Sequence, residues 1–238
     1  MSEYTYDDLR AIMSRLRKDC PWDRKQTNDS LRGAIIEEVY EFSDAVKRHN
    51  AEDMCEELGD VLMLTVLHGV IAEESDMFTV EDVINRVCRK MISRHSHVFG
   101  EDKVLSADDA LFLWDRNKSA EKKYSSLIET LRGVTPSLPA LIRAEKVQSR
   151  AEKAGECPCP DTTELTKLIQ EITEVISRPQ VANATHLSRL TSLVGDFLWH
   201  ISNFSRINKI NAEFALTNTI ETFITRHETG KDDTRYTI

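Results

Sequence analysis

Glycine and proline are scarce, 8 and 6 in 238 residues, which excludes collagen-like, linker-like and low-complexity chains. Long apolar runs are missing as well. No stretch reaches the roughly 18 uncharged residues of a membrane span, and the acidic start, Met1 to Asp8, carries no basic segment followed by an apolar one. No membrane partner is expected, and the cytoplasm is the expected compartment. Cysteine is limited to Cys20, Cys55, Cys88, Cys157 and Cys159, an odd and scattered set that argues against a disulfide framework. Cys157 and Cys159 have no second Cys or His pair at ligand spacing, so they read as reduced thiols. What remains, 40% hydrophobic and 30% charged, is the composition of a folded chain of one large domain or two small ones.

The net charge of −9 is confined to the first half: residues 1–120 hold 16 basic and 25 acidic side chains, and the remainder is balanced. This argues against a nucleic-acid surface there and for either a solvated acidic face or a cation site.

The apolar residues recur at helical spacing throughout. Leu9, Ile12, Met13 and Leu16 share a face behind Thr5 and Asp8, a capping-box pattern, and predict a helix over about 5–17. Further helices are predicted from a cap at Thr27 or Asn28 to about His49, then over about 52–75, 80–94 and 107–123. After the prolines of Val134 to Pro139, helices return over about 139–154, 162–177, 185–206 and 211–228. The fold class is all-α. A first domain over 1–123, a helical, proline-containing connection over 124–160 and a second domain over 161–238 are expected. The two domains look related: Glu41 matches Glu174 at an offset of 133, Gly59-Asp60 matches Gly195-Asp196 at 136, and Arg94-His95 matches Arg226-His227 at 132. A tandem duplication explains these matches.

Chemistry concentrates in Glu37-Glu38-Val39-Tyr40-Glu41 and Glu56-Glu57-Leu58-Gly59-Asp60. Glu38 and Glu41 share one helix face, as do Glu57 and Asp60 on the next helix. The predicted turn near Asn50-Ala51 makes those helices antiparallel neighbours, so the four carboxylates can converge. Apolar residues flank them on both helices, which places the acids beside a core. Hard, anionic oxygen ligands suit Mg²⁺ or Mn²⁺. A di-iron bundle is excluded because no His has a Glu three residues before it.

These residues resemble a known family. Glu38-x-x-Glu41 with Glu57-x-x-Asp60 looks like the signature of the MazG nucleoside triphosphate pyrophosphohydrolases, within the all-α NTP pyrophosphatases. Cys20-Pro21-Trp22-Asp23, Gln26-Thr27, Ser30-Leu31-Arg32, Arg94-His95-Ser96-His97-Val98-Phe99-Gly100 and Trp114 with Lys118 extend the likeness. The resemblance implies a tandem of such domains, with four-helix bundles assembled on dimerisation. It implies hydrolysis of nucleoside triphosphates to monophosphate and pyrophosphate, Mg²⁺ dependence, a homodimer and a house-cleaning role in the nucleotide pool. Glu38, Glu41, Glu57 and Asp60 would be the metal ligands and catalytic groups, with Glu38 or Glu41 taking the water proton. Lys90, Arg94 and Lys118 would contact phosphates or sugar, and Trp114 would stack on the base.

The second copy departs from this pattern. Glu171 and Glu174 survive, but Leu193 stands where the family has Glu, Thr222 stands where Lys90 stands in the first copy, and no Trp-x-x-x-Lys follows. That copy is expected to be structural or regulatory. The alternative to an enzyme is a non-catalytic dimeric nucleotide-binding or regulatory scaffold; a second enzymatic reading is a pyrophosphatase dedicated to one nucleotide, such as dUTP or phosphoribosyl-ATP. His95 and His97 flank a helix end, where a capping role is available, and His68 lies on an apolar helix.

Overall fold

The computed structural model describes residues 3–122, 126–156, 162–177 and 184–228, and among these the regular structure is entirely helical. The first unit, Met1–Glu121, contains α1 (Tyr6–Asp19), α2 (Arg32–Arg48), α3 (Ala51–Glu74), α4 (Val80–Arg94), the single turn α5 (Ser96–Phe99) and α6 (Ala107–Lys122). The second, Lys122–Ile238, contains α7 (Leu127–Arg132), α8 (Ala140–Lys153), α9 (Thr162–Ser177), α10 (Ala184–Ile207) and α11 (Ala212–Glu228). No helix among the described residues is long and apolar enough to cross a membrane. Cys157 and Cys159 lie outside the described residues.

Local sequence sets the helix ends. Thr5 with Asp8 and Thr79 with Asp82 form reciprocal capping boxes at α1 and α4, each satisfying backbone donors that a helix start leaves open. Between α2 and α3 the chain reverses in two residues. His49 closes α2 in the left-handed region at φ 54°, and the Asn50 side chain accepts from the backbone of Glu52 and Asp53 to open α3. Among the helices whose caps are described, α2 starts away from its predicted cap. Thr27 and Ser30 exchange side chain to backbone hydrogen bonds at 2.9 and 3.0 Å, which holds 27–30 as a turn, and Asn28 is engaged with His68 at 2.7 Å. The helix therefore begins at Arg32.

The first core gathers Met13, Leu31, Leu64, Val66, Leu67, Val70, Ile71 and Val80. It sits under the second half of α3, where α1, α2 and α4 all pack. Gly69 permits this: a Cβ there would lie 2.7 Å from Val80 Cγ2 at the start of α4. The first half of α3 holds no buried residue, the first being Leu64. The apolar stripe expected to border a core thus divides, with Leu31 and Leu64 buried but Val39, Val46, Leu58 and Leu62 each 40% or more exposed.

The second unit repeats this arrangement with different chemistry. In it α8 packs on α10 as α1 packs on α3, and α9 pairs with α10 as α2 pairs with α3. The stretch expected as a connection, 124–160, thus contributes a helix that packs inside the second unit. Leu168, Val175 and Leu193 form a small core there, while Gln148, Ser202, Asn203 and Ser205 are buried and polar. Their counterparts at offsets of 135 and 136 are Met13, Val66, Leu67 and Gly69. Gln148 donates from Nε2 to the Trp199 carbonyl at 2.8 Å, while its buried Oε1 finds no partner among the described residues. An ion pair joins these helices in both units, with the signs exchanged and the partner on the long helix standing one turn earlier in the second unit. Buried Arg17 of α1 meets Glu74 of α3 at 2.6 Å, whereas Glu152 of α8 meets Arg206 of α10 at 2.5 Å.

Candidate active site

The tight turn at His49-Asn50 brings the acidic segments of α2 and α3 side by side. Carboxylate oxygens of Glu38, Glu41 and Glu57 lie within 4.8 Å of one another. Asp60 stands outside this trio, yet its negative charge acts on both Glu38 and Glu57. Glu38, Glu57 and Asp60 are half-buried and Glu41 is exposed. Loss of hydration pushes the Glu38 carboxyl above its ordinary value, and Asp60, Glu41 and Glu37 push it further, against a hydrogen bond shared with Glu57. Glu57 is raised for the same reasons, first by desolvation and then by Glu41 and Glu38. No basic side chain figures among the charges acting on either group. Such a cluster is electrostatically unfavourable alone, and its donor set, hard oxygens of like charge, fits a divalent cation.

The basic residues singled out in the sequence gather elsewhere in the same unit, where α6 meets the end of α4. Arg94 is buried and its guanidinium lies 5.1 Å over the Trp114 ring. Lys118 Nζ lies 4.6 Å over the same ring. Trp114 therefore already carries two cations on its π-system. Glu121, not foreseen from the sequence, organises the group: Oε1 accepts from Ser93 Oγ at 2.8 Å, and Oε2 accepts from Arg94 Nε and NH2 at 2.9 and 2.7 Å. These hydrogen bonds from Arg94 and Ser93 hold its carboxyl below the usual range, and the charge of Lys90 adds to them. The sequence signal for Glu121 was its spacing, since Trp114, Lys118 and Glu121 recur at helical intervals on one face of α6.

Beside this group, His95, His97, Ala107, Ala110, Leu111 and Trp114 line a cavity of about 380 Å³. His95 ends α4 and its Nδ1 lies 2.7 Å from the Met91 carbonyl, which is a capping contact. His68 is half-buried on α3 against Asn28, and desolvation lowers its pKa.

In the second unit the corresponding acids do not assemble in this way. Leu193, in register with Glu57, is buried in the core with Leu168 and Val175, while Glu171, Glu174 and Asp196 are exposed. Among the described residues, the Glu38, Glu41 and Glu57 trio has no counterpart there.

Residues 26–99 match the family model of the MazG nucleotide pyrophosphohydrolase domain. Those residues include both acidic pairs, Lys90 and Arg94. The chain is 36% identical over 225 residues to the nucleoside triphosphate pyrophosphohydrolase/pyrophosphatase MazG of Thermotoga maritima, covering 93% of this chain and 83% of that protein. It is 32% identical over 220 residues to the nucleoside triphosphate pyrophosphohydrolase of Escherichia coli, covering 91% and 83%. It is also 38% identical over 236 residues to the protein YabN of Bacillus subtilis, covering 97% of this chain but 48% of that longer protein.

Proposed function

The chain belongs to the MazG family, and from that premise we propose that it hydrolyses nucleoside triphosphates to monophosphate and pyrophosphate at the carboxylates of α2 and α3. The observation that carries this reading is the Glu38, Glu41 and Glu57 trio, whose oxygens converge within 4.8 Å and whose raised Glu38 and Glu57 carboxyls feel other carboxylates as their neighbouring charges. Glu38, Glu41, Glu57 and Asp60 would hold Mg²⁺ or Mn²⁺. Bound there, such an ion supplies neutralisation of triphosphate charge and a lowered pKa for water. A carboxylate with a lone pair left over, Glu38 or Glu41, takes the proton of the attacking water. Lys90, Arg94 and Lys118 neutralise phosphate or contact the sugar, and Trp114 offers a face to the base. The second unit is a structural or regulatory copy, a role supported by the burial of Leu193 where a ligand would have to stand.

We further propose a homodimer acting in the cytoplasm on the nucleotide pool, with no nucleic-acid or membrane partner. The half-exposed Val39, Tyr40, Leu58 and Leu62 beside the acids support a second copy as their cover. Phosphorus NMR of products from a panel of NTPs and dNTPs, with Mg²⁺ and with excess chelator, tests the activity. Monophosphate and pyrophosphate formed only with metal is the expected result; NDP with orthophosphate, or full turnover in chelator, would refute it.

A further inference from the structure

Glu121 poses a conflict that the family pattern leaves open. Its carboxylate takes hydrogen bonds from the Ser93 hydroxyl and from two nitrogens of the Arg94 guanidinium, and the charge of Lys90, one turn before Arg94 on α4, acts on it as well. A hydroxyl, a planar guanidinium fork and an ammonium are what a phosphate oxygen pair would bind, and Arg presents the same bidentate edge to carboxylate and phosphate. Two anions cannot both take the edge of Arg94 that Glu121 holds. Glu121 is also placed to move, in the last turn of α6 and about one third exposed. Leu111 and Phe112 of the same helix are mostly exposed, leaving Leu113 as its buried apolar anchor. Asn117 Nδ2 adds one good contact, to Ser96 Oγ at 2.9 Å.

Building on the triphosphate reading, we propose that Glu121 is a built-in competitor that occupies the Ser93, Arg94 and Lys90 cradle until a polyphosphate displaces it. The carboxylate stands in for phosphate and keeps buried Arg94 neutralised in the unliganded protein. It also sets a threshold: a cradle free about a tenth of the time lowers apparent affinity about tenfold. A monophosphate, with fewer oxygens to offer, competes less well than a triphosphate, which favours product release over product retention.

The test is calorimetric titration of the full-length protein with inorganic tripolyphosphate in excess chelator, where neither metal nor turnover contributes. Glu121→Gln keeps the shape and an acceptor oxygen but removes the charge. It is expected to bind tripolyphosphate about tenfold more tightly than the unaltered chain, and in turnover to lower KM for NTP by a similar factor with kcat within about twofold. Equal or weaker binding by the variant, or no binding by either protein, overturns the proposal and leaves Glu121 as a strut for α6. Should Glu121→Gln fail to fold by circular dichroism, Glu121→Asp, a methylene shorter, takes its place. A smaller tightening is then expected, and its absence is equally fatal. Tighter tripolyphosphate binding with no NTP cleavage by any form would sink the pyrophosphohydrolase reading while leaving the competitor role intact.

Discussion

At the scale of single residues, the acids of α2 and α3 act against stability, a cost that the proposed metal site would offset. Because Glu38 and Glu57 have raised pKa values in the folded protein, their protonated forms favour the fold. That contribution is full below the ordinary carboxylate pKa and is lost as pH rises through the raised values. Without metal, Glu38→Gln and Glu57→Gln should therefore melt at the same temperature as the unaltered protein or higher. Added Mg²⁺ should raise the melting temperature of the unaltered protein but not of the variants, and turnover should fall by at least about 10². Thermal melts across metal concentration, paired with activity, check this; variants that lose activity by unfolding would count against the site. Arg17 is the opposite case. Its buried guanidinium binds Glu74 and donates to the Asp23 and Gln26 carbonyls, so Arg17→Ala should cost about 1–3 kcal/mol in denaturant unfolding.

At the scale of elements, the helices were legible because their signals are local. The capping residues Thr5 and Thr79 and the apolar periodicity behind them name their helices directly, and each Thr→Ala change should cost about 1 kcal/mol. The low pKa values of Asp8 and Asp82, set by hydrogen bonds from Thr5 and Thr79, add stability that is present above the ordinary carboxylate pKa. That stability is lost as pH falls through the lowered values, the reverse of Glu38 and Glu57. What stayed hidden depended on contacts distant in sequence. Asn28 reads as a cap until His68, on another helix, is seen to hold it. Arg94 reads as a free phosphate ligand until Glu121 is found on it. The exchanged signs of Arg17 with Glu74 and Glu152 with Arg206 belong to the same class. In a chain whose two units pack alike they would set like charges together wherever α1 docked on α10 or α8 on α3. Arg17→Glu with Glu74→Arg together should recover part of the stability that either change alone removes, as a double-mutant cycle would read.

At the scale of the whole molecule, two units with like helix packing differ in chemistry: one has converging carboxylates, and in the other the position in register with Glu57 is a core leucine. Restoring a glutamate at Leu193 would bury a charge among Leu168 and Val175, so Leu193→Glu should destabilise the second unit without creating activity. The apolar strip beside the acids should be covered in solution, and light scattering of the purified chain should give twice the mass of 27.2 kDa. The division of labour between units is the central claim, and one comparison of pyrophosphate release tests it most directly. Full-length Glu57→Gln is set against the double variant Glu174→Gln with Asp196→Asn, both in saturating Mg²⁺ and NTP. The first should lose at least about 10² in turnover and the second should retain most of it. Loss of turnover in the double variant, with activity spared in Glu57→Gln, would place the chemistry in the second unit and contradict the account.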